Sequence, residues 1–68
     1  MNRIYIEITR QNNEIDFYRF EPMNISDNHY QRAWEFMRCQ IFISEDVKVW
    51  RMTNIPTLNT SEYDVIED

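Results

Sequence analysis

The chain has 68 residues, a net charge of −5, one cysteine, one histidine and no glycine. So short a chain supports a single small domain that buries only about 60% of its unfolded surface. One cysteine excludes an intramolecular disulfide, and Cys39 with His29 cannot build a structural zinc site of four Cys/His ligands. At an average usage of about 7%, a chain of this length lacks glycine roughly 1% of the time. The lack excludes the usual phosphate loops, dinucleotide folds and nucleophile elbows, which need glycine for close backbone approach. Positive-φ positions then fall to asparagine, of which there are seven.

Residues 3–10 alternate strictly, with Ile4, Ile6 and Ile8 on one face and Tyr5, Glu7 and Thr9 on the other. Period two with β-branched residues predicts a half-buried strand. A polar turn around Asn12-Asn13 leads to a second strand at about 15–21. Two hairpin registers are open. A two-residue turn pairs Ile8 with Phe17 and places Tyr5, Glu7, Tyr18 and Phe20 on the outer face. A three-residue loop, 11–13, pairs Ile6 with Tyr18 and Ile4 with Phe20, leaving Phe17 and Arg19 outside.

After Pro22, Ser26 is expected as the N-cap of a helix at about 27–39, with Asp27 in its first turn and Ile25 stapled onto Tyr30. Tyr30, Ala33, Trp34, Met37 and Ile41 follow helical spacing and form the predicted core stripe. Residues 41–44 read as a short strand, a buried connection or a last turn. Val47 to Met52 alternates again; Val47 and Val49 are the expected core pair, with Lys48, Trp50 and Met52 on the other face, and Pro56 ends the strand.

These elements define an α+β fold, a three-stranded, mainly antiparallel sheet in the order strand–strand–helix–strand, with one helix on one face. Residues 1–56 form the domain and 57–68 an acidic C-terminal tail. Residues 1–52 hold eight acids and seven bases; residues 53–68 hold Glu62, Asp64, Glu67 and Asp68 and no base. The body is therefore nearly neutral and the tail carries −4. The outer face of the sheet is expected to lack a cover.

No apolar run approaches the ~20 residues of a membrane span, and Glu7 interrupts the opening apolar stretch as no signal peptide would. With a free cysteine, this points to a cytoplasmic protein. His29 and Cys39 lie ten residues apart on one helix, about 15 Å along its axis, too far for a catalytic pair. The tail acids lack the spacing of a calcium loop. No cofactor, metal or catalytic residue is expected. The seven bases are scattered, which argues against direct nucleic-acid binding. Trp50 and Arg51 belong to the types enriched at binding hot spots. Candidate partner-binding residues are Tyr5, Tyr18 and Trp50 on the outer sheet face, Arg51, and Glu62, Asp64, Glu67 and Asp68, whose charges could imitate a phosphate run in a partner's basic groove.

The length, the hairpin–helix–strand order, Trp34 on the helix and the arginine-bearing strand Val47 to Met52 resemble the T7-type inhibitors of bacterial RNA polymerase. Arg51 is the one position carried across. The acidic tail and the lack of a glycine before the third strand depart from that family. Anti-CRISPR proteins are similar in size and acidity. The resemblance implies a small, non-enzymatic, phage-encoded inhibitor of a host protein or ribonucleoprotein complex that processes nucleic acid. The alternative is a homodimeric accessory protein paired through its bare sheet face.

Overall fold

The structure, a computed structural model, describes residues 3–22 and 28–66. It is an α+β fold with one helix and a mixed four-stranded sheet in the order β3-β1-β2-β4. Strands β1 (Ile4–Arg10) and β2 (Ile15–Phe20) form the hairpin. Their register pairs Ile6 with Tyr18 and Ile4 with Phe20, as the three-residue loop requires. Asn13 takes the positive φ of 70°, and the Asn12 side chain accepts from the Glu14 backbone N–H at 3.0 Å. An asparagine thus does the work a glycine would do here.

Helix α1 runs His29–Ile43, starting and ending later than the sequence predicts. Its N-cap is Asn28, whose side chain accepts from the Gln31 backbone N–H at 3.1 Å; Ile25, Ser26 and Asp27 lie outside the described residues. Residues 41–43 are its last turn, and Ser44 closes it in an extended conformation with its N–H bonded to the Gln40 carbonyl. Strand β3 (Val47–Thr53) pairs antiparallel with β1.

The core lies between helix and sheet. Ile4, Ile6, Ile8, Phe20, Ala33 and Met37 are buried, with Tyr18, Phe36, Val47, Met52 and Ile66 packed around them. Phe36 meets Tyr18 and Phe20 edge-on, with ring centroids at 4.9 and 5.4 Å. Arg10 pins the turn end of the hairpin: it reaches Asp16 at 2.9 Å, Asp46 at 3.2 Å and Gln40 of the helix at 3.4 Å. Burial disfavours its charge, but the bond to Asp16 and the two carboxylates outweigh that and hold it above the usual arginine value.

Two expectations are corrected by pairing. A register shift between Thr9 and Arg10 sets Val47 opposite Arg10, Trp50 opposite Ile8 and Met52 opposite Ile6. One extra residue in a strand reverses its inside–outside parity. Val47 therefore stays in the core, while Val49 turns outward and Trp50 and Met52 turn to the helix side. The second correction is a fourth strand. Thr60–Glu62 makes a short 3-10 turn, then β4 (Asp64–Val65) pairs parallel to β2. The segment read as a tail is docked as far as Ile66.

Candidate protein-binding surface

The two sides of the sheet are finished differently. On the outer side, Tyr63 is 3% exposed and its ring rests on Tyr5 and Phe17, at centroid separations of 4.9 and 5.4 Å. Its hydroxyl donates to Glu7 Oε2 at 2.9 Å; Thr57 Oγ1 donates to the same oxygen at 2.8 Å. The Thr57 backbone N–H donates to the Tyr63 hydroxyl oxygen at 3.1 Å. Arg19 donates to the Thr60 carbonyl at 2.6 Å, and Arg51 Nε lies 3.6 Å from Glu7 Oε1. Residues 57–63 thus form a lid over the face that the sequence leaves bare. One carboxylate, Glu7, collects two hydroxyls and a guanidinium, so its charge is matched where the rings exclude water.

On the helix side, α1 lies over β1 and β2, and the margin above β3 is left thin. Trp34 of the helix and Trp50 of β3 meet there edge-on at 5.7 Å, 38% and 41% exposed. Tyr30 and Ile41 are exposed along the same helix, and Phe42 and Ile43 in its last turn are 81% and 78% exposed. The core stripe expected from spacing is therefore only partly buried. Ala33 and Met37 are inside, while Tyr30, Trp34 and Ile41 stand open because Phe36 fills the place against β2. The small Ala33 and the flexible Met37 lie directly on the sheet, and the bulkier rings flank them.

The candidate contacts do not form one surface. Tyr5 is 4% exposed under Tyr63. Tyr18 is packed beneath Phe36, where burial first, and then the Asp16 charge, raises its phenol above the ordinary value of 10.0. Trp50 is on the helix side and Arg51, registered with Glu7, on the outer side of the same edge strand. Glu62 and Asp64 are exposed at the opposite edge, about 14 Å away across three strand spacings. Glu67 and Asp68 lie outside the described residues.

The sheet is thus basic at the β3 edge, with Lys48 and Arg51, and acidic at the β4 edge. Sequence reasoning missed Tyr30, Phe42 and Ile43 as exposed apolar positions. Cys39 is exposed, in a shallow cavity of about 380 Å³ with Glu35, Arg38, Phe42 and Ile43. Among the described residues there is no group of three or more potential metal ligands, and no helix is long and apolar enough to cross a membrane. No protein-family model, curated protein or solved structure matches this chain.

Proposed function

We propose that this protein is a non-enzymatic binding module that acts by occupying a surface on a protein partner, through the helix-side margin built from Tyr30, Trp34 and Trp50. One observation carries this reading. The chain spends its own residues 57–63 on sealing the outer face, yet leaves two tryptophans and the apolar end of the helix open. Exposed apolar patches with tryptophan at their centre are where binding energy concentrates. The resemblance to phage inhibitors extends the reading: the partner is a host nucleic-acid-processing complex, and binding blocks it. The dimer reading needs a bare outer face, and the lid of residues 57–63 lies on it.

Capture of partners from bacterial lysate by tagged protein tests the proposal. The unaltered chain is expected to retain a defined complex and slow its reaction, and a Trp34→Ala/Trp50→Ala double variant to lose both effects. Capture that survives the double variant contradicts the proposed surface.

A further inference from the structure

Strand β3 is an edge strand, with β1 on one side and, among the described residues, no strand on the other. Alternate N–H and C=O groups of an edge strand point outward unpaired, a template for one more strand. At its first end the edge is guarded by the register shift beside Lys48, whose Nζ donates to Asn13 Oδ1 at 3.0 Å. From Val49 to Thr53 the pairing with β1 is regular, and no strand of the described residues lies on the far side. Bulges and charged side chains blunt edge strands that must stay single; here the register shift and Lys48 lie at the first end, and from Val49 to Thr53 the one charge is Arg51, on the face away from the Trp34–Trp50 pair.

We infer that the occupant of this edge is an extended segment of a partner protein, added as a fifth strand, with apolar side chains on the helix side and acidic side chains on the outer side. This rests on the helix-side binding surface proposed above and names what it takes. The alternation follows from the faces of β3. Trp50, backed by Trp34, offers apolar area on the helix side, whereas on the outer side Arg51, 3.6 Å from Glu7 and bonded to the Ile55 carbonyl at 3.4 Å, keeps 48% of its side chain exposed and is the one charged residue of this stretch. A strand in register alternates its side chains with period two, so one residue meets the tryptophans and its neighbour meets the guanidinium. Main-chain bonds supply affinity in such additions, and the alternate side chains supply selectivity.

Two occupants from the protein itself fit worse. A second copy of β3 would bring two Lys48 and two Arg51 into one ladder, and β3 has no acid to answer them. The acidic strand β4 has the opposite phase. Asp64 is registered with Tyr18 on the helix side and Val65 with Arg19 on the outer side, so in a continued sheet Val65 would face Arg51.

The test uses the full chain and three synthetic peptides of equal length: glutamate alternating with valine, lysine alternating with valine, and the glutamate peptide with alternate backbone nitrogens methylated. Amide exchange and chemical shifts of residues 49–53, and tryptophan fluorescence, are followed together. The acidic peptide is expected to slow exchange along β3 and to bind at least about tenfold more tightly than the lysine peptide, an advantage that shrinks with salt and in Arg51→Gln. Backbone methylation is expected to abolish binding.

Equal binding of the two charges, binding that survives methylation, or no binding overturns the inference. So does sedimentation of the free protein as a dimer whose β3 amides are already protected. A fluorescence change without β3 protection overturns strand addition alone and leaves the tryptophan surface standing. Protection of β3 by the acidic peptide, with lysate capture indifferent to Trp34 and Trp50, separates the two the other way.

Discussion

The outer and helix sides of this sheet bury aromatic rings by different means. On the outer side, Tyr63 comes from a segment remote in sequence, covers Tyr5 and Phe17, and ends its ring in a hydrogen bond to Glu7. On the helix side, Trp34 and Trp50 meet each other and both stay more than one-third exposed. Substitutions on the first side should therefore cost folding, and on the second, binding.

Tyr63→Ala should have the largest effect. Removing a fully buried aromatic costs about 3–5 kcal/mol, a large share of the roughly 5–10 kcal/mol expected for so small a domain. A drop in the denaturant midpoint, with Tyr5 and Phe17 newly accessible, would show it. Tyr63→Phe keeps the ring and loses the hydroxyl, and should cost about 1–2 kcal/mol because Glu7 and the Thr57 N–H lose a partner. If the two variants are equally stable, the ring is not what seals the face.

Arg10→Met should come next. It leaves Asp16 without its guanidinium partner and releases Gln40 of the helix. Its side chain is only 13% exposed, so a loss of about 1.5–3 kcal/mol is expected from thermal unfolding.

Trp34→Ala should destabilise less than Tyr63→Ala, because it removes a ring that is already more than one-third exposed. Its effect should fall on partner binding. An unfolding midpoint that drops as far as for Tyr63→Ala would place Trp34 in the core and break the comparison.

The smallest effect concerns Tyr18. Its phenol is raised above 10.0 in the folded chain, so the folded state holds its proton more tightly than the unfolded state. That stability is fully present below the unfolded value and is lost as pH rises from about 10 through the folded value. Denaturant midpoints should fall across this window, and the fall should flatten in Tyr18→Phe.

Much of the fold was legible because it depends on local period and turn chemistry. The isoleucines of β1, the asparagine turn and the helix follow from neighbours in sequence. The two hairpin registers could not be separated from the residues alone. Each puts at least one aromatic beside a charge on the outer face, and only the three-residue loop, with Asn13 at positive φ, decides between them.

The candidate site was less legible. The parity of β3 depends on one extra residue, and with no glycine in the chain no local residue marks the shift. Trp50 and Val49 therefore exchanged faces. In the helix, Tyr30, Trp34 and Ile41 share a periodic arc with Ala33 and Met37, and only packing against β2 through Phe36 selects which side of that arc is buried. In the tail, charge masked structure. Tyr63 and Val65 keep period two between acids, but the partner that makes them a strand is β2, more than forty residues earlier. The unanswered charges of Glu7 and Arg19 on the outer face were the signal for a cover, and that signal is weak until the register is known.

The central claim is that binding belongs to the Trp34–Trp50 margin and not to the lidded face. Quantitative capture from lysate with two folded variants tests it most directly: Trp50→Ala on the open side and Val65→Ala on the outer side, each at matched concentration. The defined partner is expected to be lost with Trp50→Ala and retained with Val65→Ala. Retention with Trp50→Ala and loss with Val65→Ala, or no defined partner for the unaltered chain, would contradict it.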